Sequence, residues 1–209
     1  MDKNQNAVTI FNKLANEYQS KFMDVNLYSE SLNFYCNTIK KDNAHILELA
    51  CGPGNITNFL LSQRPDFEIL GIDLAPNMLK LAKINNPKAS FQQMDCRDIN
   101  SIEKKYDGIV CGFLLPYLSK LEAMKLISDA SNLLTANGLL YLSFMEDDYC
   151  TSGIKKGSTG EEIFMHFHQA DYITDSLKEN DFKILKLERK TSLLQDETET
   201  TDLLIIASK

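Results

Sequence analysis

At 209 residues, with 44% apolar and 24% charged side chains, the chain has material for one domain with a substantial core, and no bias toward disorder or a fibrous repeat. A formal net charge of −7 and the lack of a basic stripe work against a phosphate backbone, so no nucleic acid partner is expected and a small molecule or a protein is the better substrate. No apolar run is long enough for a membrane helix, and the opening MDKNQNAVTIFNK carries no apolar signal core, so the expected compartment is the cytoplasm, with no membrane association. The five cysteines, Cys36, Cys51, Cys96, Cys111 and Cys150, are odd in number and lack CxxC spacing, which argues against a disulfide framework or a zinc site; no metal is expected.

Residues 1–44 read as helical. Val8, Phe11, Leu14, Ala15, Tyr18 and Phe22 share one face at helical spacing, and Leu27, Leu32, Tyr35 and Ile39 continue in a second segment. Residues 45–50 then make an apolar strand ending in Gly52-Pro53-Gly54, a turn that only small residues permit where a ligand lies against the backbone. A helix over 54–63 follows, with Ile56, Phe59, Leu60 and Leu61, and Arg64-Pro65-Asp66 stops it. Strand, glycine turn and helix N-terminus together are how a Rossmann-like sheet receives a nucleotide.

A second strand, EILGIDL (68–74), delivers Asp73 about 20 residues after the glycines, where a ribose-binding carboxylate belongs. Pro76 opens a helix carrying Met78, Leu79, Leu81, Ala82 and Ile84, and Asn85-Asn86-Pro87 closes it. A third strand, 89–95, ends in Asp95. Simpler readings exist for both acids: Asp73 as a cap at Ala75, and Asp95 as a cap of the turn before Asp98.

Strand four is predicted over 106–113, with Leu114 to Leu118 prolonging the apolar run toward a pocket mouth. A helix over 120–134 is stopped by Asn137-Gly138, which turns the chain into strand five, 139–145. The acidic and then Gly/Ser/Thr-rich stretch 146–162 reads as a mobile surface loop of the kind that carries specificity. After it, His166 and His168 alternate with Met165 and Phe167. A helix over 170–180 leads to apolar runs at 182–194 and 200–207, joined by the polar turn QDETET; with no helix between them, they are antiparallel neighbours.

The expected fold is therefore α/β: a Rossmann-like three-layer sandwich whose seven-stranded, mostly parallel sheet closes with a C-terminal antiparallel hairpin strand. A single domain over 1–209 is expected, comprising a helical cap (1–44), a cofactor-binding core (45–145), a substrate-side loop and helix (146–181) and a closing hairpin (182–209).

ILELACGPG, GIDLAPNML and FQQMDCRDI resemble the cofactor motifs of class I S-adenosylmethionine-dependent methyltransferases, especially the small-molecule branch, and the resemblance runs from about Phe11 to the C-terminus. It implies S-adenosyl-L-methionine as cofactor. Glu48 matches the acid that orients the methionine part, with Ala50, Cys51, Gly52 and Gly54 forming the loop beneath it; the family often has glycine where Ala50 stands. Asp73 matches the acid on the ribose, Leu74 and Met78 pack on adenine, Asp95 accepts from the adenine amino group, and Cys96 lies beside the ring. Gly112 and Phe113 run along the methionine side. Tyr18 and Tyr28 match aromatics that border the substrate, and the N-terminal helices cap the site.

Methyl transfer from a sulfonium is an in-line displacement in which position and dryness supply most of the rate, so the sequence says little about catalysis. His166 could take a proton from an oxygen or nitrogen nucleophile, His168 is a substrate-side candidate, and Tyr117 a second catalytic candidate. The histidines also read as packed or surface residues, and Tyr117 as pocket wall or core. Leu114-Leu115-Pro116-Tyr117 lacks the Asn/Asp-Pro-Pro-aromatic pattern of DNA and glutamine amino-methyltransferases, and no Pro-Cys dipeptide exists for cytosine-5 chemistry. Cys111 and Gly112 occupy the place of the acid in metal-dependent catechol-type enzymes, leaving Glu146, Asp147 and Asp148 as a solvated acidic turn. Two rivals stand beside the methyltransferase reading: a protein that binds the cofactor or a nucleotide without turnover, and an NAD-dependent oxidoreductase, disfavoured because Thr57 occupies the third glycine position of GxGxxG.

Overall fold

A computed structural model describes residues 3–157, 160–193 and 199–209; the part of the QDETET turn up to Thr198 and the Ser158-Thr159 step of the 146–162 stretch lie outside them. Helices α1 (Lys3–Lys13), α2 (Ala15–Phe22) and α3 (Ser29–Thr38) precede β1 (His45–Leu49), α4 (Asn55–Gln63), β2 (Glu68–Asp73), α5 (Pro76–Asn85) and β3 (Ser90–Gln93). After these come β4 (Tyr106–Gly112), α6 (Lys120–Leu133) and β5 (Leu134–Glu146). The chain ends with β6 (Gly153–Lys156), β7 (Glu162–Met165), α7 (Ala170–Glu179), β8 (Lys183–Leu193) and β9 (Glu199–Ser208).

Seven strands form one sheet in the order β3-β2-β1-β4-β5-β9-β8. The β1–β2, β1–β4, β2–β3 and β4–β5 pairs are parallel, whereas β9 runs antiparallel to both β5 and β8. The order reverses on either side of β1, so the carboxyl ends of β1, β2 and β4 meet around a crevice. Period-two alternation loads both faces: Leu140, Leu142 and Phe144 of β5 pack with Ala123, Leu126 and Ile127 of α6 and Ile173 of α7, while Leu139 and Tyr141 pack with Leu32 and Tyr35 of α3 and Leu60 of α4. Among the described residues, no helix is long and apolar enough to cross a membrane.

Three local expectations are corrected. The single helix read over 8–22 breaks at Leu14, whose φ of −100° and ψ of 21° leave the helical region. Asn137-Gly138 does not stop α6, which ends at Leu133; Asn137 sits at φ 64° inside a longer β5, its N–H donating to the Lys209 carbonyl (3.2 Å) while the Lys209 N–H donates to that of Gly138 (2.9 Å). The stretch read as an open loop holds a short antiparallel hairpin, β6–β7, pairing Gly153 with Met165 and Lys156 with Glu162.

Gly108 in β4 is needed for close packing: a Cβ there would overlap Tyr35 Oη and come within 3.0 Å of Ile39 and Ile46. Tyr35 is fully buried, and its hydroxyl has no hydrogen-bond partner among the described residues. Deleting an unpaired buried hydroxyl removes a desolvation cost, so Tyr35→Phe is expected to leave stability unchanged or raise it by about 1 kcal/mol. Gly108→Ala should cost about 1–3 kcal/mol by overpacking, and the double variant should recover part of that loss. Urea denaturation checks the set; a large loss in Tyr35→Phe would mean that the oxygen is satisfied.

Candidate active site

A cavity of about 150 Å³ opens at the carboxyl ends of β1 to β4. Its floor is the turn after β1, where Ala50, Gly52 and Gly54 all take left-handed φ values of 51°, 53° and 78°. Glycine adopts that conformation freely; Ala50 does so against a steric cost of roughly 1–2 kcal/mol. The turn is held from both sides. The Gly52 N–H donates to Asp73 Oδ2 (2.9 Å), the Ala75 N–H donates to Asp73 Oδ1 (2.8 Å), and Asn85 and Asn86 Nδ2 donate to the carbonyls of Pro53 and Gly54 (2.9 Å each). A Cβ at Gly54 would collide with the Asn86 amide, whereas one at Gly52 would meet only Tyr18, at 3.8 Å. Gly52 thus faces open cavity with bare backbone.

Asp73 lines the cavity together with Leu74, Ala75 and Met78. Burial raises its carboxyl above the usual range, although the surrounding N–H groups oppose that shift. Met94, Asp95, Cys96 and Arg97 form the next wall. Arg97 grips Asp95: Nη2 donates to Oδ2 (2.7 Å), Nε reaches both oxygens, and the Arg97 N–H donates to Oδ1 (2.9 Å). Burial acts against that charge, but the guanidinium outweighs it and keeps Asp95 below its ordinary range. Arg97 also reaches Glu122 Oε1 (3.3 Å), which ties this wall to the start of α6. Gly112 and Phe113 continue the wall after β4, and Phe113, like Ala50, is a non-glycine wall residue in the left-handed region, at φ 53°.

The roof comes from α1 and α2. Val8, Phe11 and Tyr18 line the cavity, with Tyr117 closing the side after β4. Polar bonds fasten these helices at their edges: the Asn77 N–H donates to Asn12 Oδ1 (2.8 Å), Asn85 Nδ2 donates to Gln19 Oε1 (2.7 Å), and Lys13 pairs with Glu161 (2.7 Å). Burial pushes the Tyr18 phenol up to about 12, with Asp73 and Glu48 adding to it, and burial also raises that of Tyr117.

Of the residues singled out in the sequence, Tyr18, Ala50, Gly52, Asp73, Leu74, Met78, Asp95, Cys96, Gly112, Phe113 and Tyr117 surround this one cavity. Gly54 shapes the turn from behind. Cys51 is buried, with its sulfur beside Gly71, and Cys111 is fully buried in the core. Glu48 is 1% exposed and accepts a hydrogen bond from the Thr57 hydroxyl behind the turn, off the cavity wall.

Tyr28 also lies off the cavity, donating its hydroxyl to Asp202 Oδ2 (2.8 Å) beside Phe113. His166 stacks on Tyr149 (5.7 Å between centroids) with Nδ1 3.2 Å from the Tyr149 hydroxyl. His168 is fully buried; its Nε2–H donates to the Leu115 carbonyl (2.8 Å), its Nδ1 accepts from Tyr172, and burial lowers its pKa. Neither histidine is on the cavity wall. Arg97 and Met94 are wall residues that the motif reading passed over; Arg97 had a signal, as a basic side chain two positions after an acid that ends a strand.

The methyltransferase-domain family matches residues 46–138. A candidate methyltransferase of Invertebrate iridescent virus 6 is 31% identical over 153 residues, covering 71% of this chain and 57% of that protein; the match thus spans little more than half of that relative. Among solved structures, the magnesium protoporphyrin IX methyltransferase of Synechocystis PCC 6803, with bound S-adenosylmethionine, superposes with a TM-score of 0.71 at 16% identity, covering 100% of this chain and 98% of that one. A cyclase shares the fold too, with a TM-score of 0.66 at 13% identity over 87% and 80% of the two chains.

Glu48 gives the site a pH signature. Burial pushes its carboxyl up to about 8, against the pull of the Thr57 hydroxyl. A carboxyl whose folded pKa lies above its unfolded value favours folding while protonated; that contribution is complete below about pH 4.3 and lost as pH rises to about 8. Wild type should therefore lose several kcal/mol more than Glu48→Gln between about pH 5 and pH 8 in urea denaturation. Parallel pH profiles for the two proteins would refute the buried neutral carboxyl.

Proposed function

We propose that this chain, whose residues 46–138 match the methyltransferase-domain family, is a class I S-adenosylmethionine-dependent methyltransferase that transfers a methyl group to a small-molecule acceptor by direct in-line displacement. The observation that carries the reading is that two acids, Asp73 and Asp95, line one cavity together with the apolar Leu74, Met78, Met94 and Cys96. Such a lining suits an adenine ring with its amino edge and ribose diol.

Each Asp73 oxygen already accepts one backbone N–H and keeps lone pairs for a ribose hydroxyl. Asp95, held by Arg97, presents the acceptor for the adenine amino group. The bare backbone of Gly52, with Gly112 and Phe113 opposite, accommodates the methionine portion. S-adenosylmethionine bound there supplies a methyl carbon already activated by its sulfonium. The chain's own residues then have to align the acceptor and exclude water, a task suited to the roof of Val8, Phe11 and Tyr18. The phenols of Tyr18 and Tyr117, raised by burial, stay neutral and serve as hydrogen-bond donors to an acceptor rather than as bases. In this reading His166 and His168 belong to packing, as their partners Tyr149, Tyr172 and Leu115 indicate.

A non-catalytic binder is the second reading, favoured by cavity walls that hold no histidine. The oxidoreductase reading weakens further, because Thr57 commits its hydroxyl to Glu48.

Calorimetric titration with S-adenosylmethionine, S-adenosylhomocysteine and NAD, in parallel on wild type and Asp73→Asn, tests the assignment. Wild type should bind the first two and not the third. Asp73→Asn should weaken binding by about 1–3 kcal/mol, roughly 5- to 150-fold, while remaining folded by thermal melt. Binding of NAD alone, or unchanged affinity in folded Asp73→Asn, would overturn it, and turnover with an acceptor separates enzyme from binder.

A further inference from the structure

A second cavity, of about 280 Å³, adjoins the first. Phe11, Tyr18 and Tyr117 line both. Their rings form a partition: Phe11 meets Tyr18 edge-on at 5.7 Å and Tyr117 edge-on at 5.2 Å. Beyond it the walls are apolar, with Ile10, Leu14 and Phe22 from the roof helices and Ile163 and Met165 from β7.

The same cavity also carries charge. Lys155 and Lys156, at the end of β6, line the second cavity only and are exposed. Lys155 Nζ stands 5.0 Å over the Phe167 ring, which fixes that cation on the hairpin. Of the two carboxylates on this wall, Glu161 pairs with Lys13 at 2.7 Å, and the exposed Lys155 and Lys156 outnumber the remaining Glu17. The mouth is therefore locally positive on a chain whose net charge is −7.

We propose that the second cavity binds the methyl acceptor, and that the acceptor is a small amphipathic anion: its anionic end at Lys155 and Lys156, its apolar body against the roof helices and β7, and its nucleophilic end at the Phe11–Tyr18–Tyr117 partition. This rests on the reading that the first cavity holds the methyl donor. Residues common to both cavities mark where the methyl crosses, and residues lining only the second mark where the rest of the acceptor lies. The anionic group is accordingly a handle, and the methylated atom sits at the opposite end. Complementary charge at a cavity mouth selects the partner and speeds capture more than it tightens binding, so the discrimination expected is modest.

The test uses full-length protein and three probes of one chain length: decanoate, 1-decanol and decyltrimethylammonium, each titrated by ligand-observed NMR with S-adenosylhomocysteine present. Decanoate should bind about 5- to 10-fold more tightly than decanol, with the cation weakest. Lys155→Glu/Lys156→Glu should erase or invert that order and leave S-adenosylhomocysteine affinity unchanged, which also shows that the variant is folded. Met165→Trp, which fills the cavity without touching the lysines, should weaken decanoate and decanol alike. Equal affinities for the three probes, a preference for the cation, or no decanoate binding in protein that binds S-adenosylhomocysteine would overturn the proposal. Protein that prefers decanoate yet does not bind S-adenosylhomocysteine would overturn the donor reading beneath it, and with it the claim that this cavity faces a methyl group.

Discussion

The architecture of the site depends on one half-buried carboxylate accepting from two turns. Asp73 ends β2, and its oxygens hold the Gly52 N–H of the preceding βα turn and the Ala75 N–H of its own. For the first donor to point at that carboxylate, the chain after β1 must pass through three left-handed residues within five positions, two of them glycine. Asn85 and Asn86 at the far end of α5 then fasten the same turn from its outer side. Strand order adds the remaining condition: β1 lies between β2 and β4, so whatever the turn leaves open is flanked by the ends of both. A crevice with bare backbone on its floor and acids on its rim follows from these constraints before any ligand is considered.

Much of this was legible because it is local in sequence. A strand ending in glycines and successive strands ending in Asp73 and Asp95 are short-range patterns, and period-two apolar alternation orders the sheet. Arg97 is less visible: the motif assigns Asp95 to the adenine amino group or to a turn cap, and nothing in it shows that a guanidinium two residues later bonds both carboxylate oxygens. Contacts made at long range were invisible. The Tyr28 hydroxyl reaches Asp202 on β9, a partner 174 residues away that no local motif reveals.

The histidines show how parity misleads. In the sequence His166 and His168 stand on one face of an extended segment, and that is how they are placed. The face turned to the second cavity is the other one, carrying Ile163 and Met165. Strand periodicity gives two sets of residues but not which set faces inward, since that depends on what each side packs against. Here Pro116 accepts from the His166 N–H (2.7 Å) and Leu115 from the His168 ring (2.8 Å), fixing the hairpin to the segment after β4. That docking turns 163 and 165 toward the roof helices.

The roof itself combines two kinds of contact with different consequences. Its inner surface is aromatic and apolar, so closing it over the cavities removes water at favourable free energy. Its outer edge is held by a few polar bonds at partly or fully exposed positions: Asn12 with Asn77 and Gln19 with Asn85, each contributing only about 0.5–1.5 kcal/mol, and the solvent-screened pair of Lys13 with Glu161. Those bonds are separate from the ones that hold the floor, where Asp73 and Asn86 fix the turn after β1, so exchanging the edge bonds for water leaves the sheet and its turn in place.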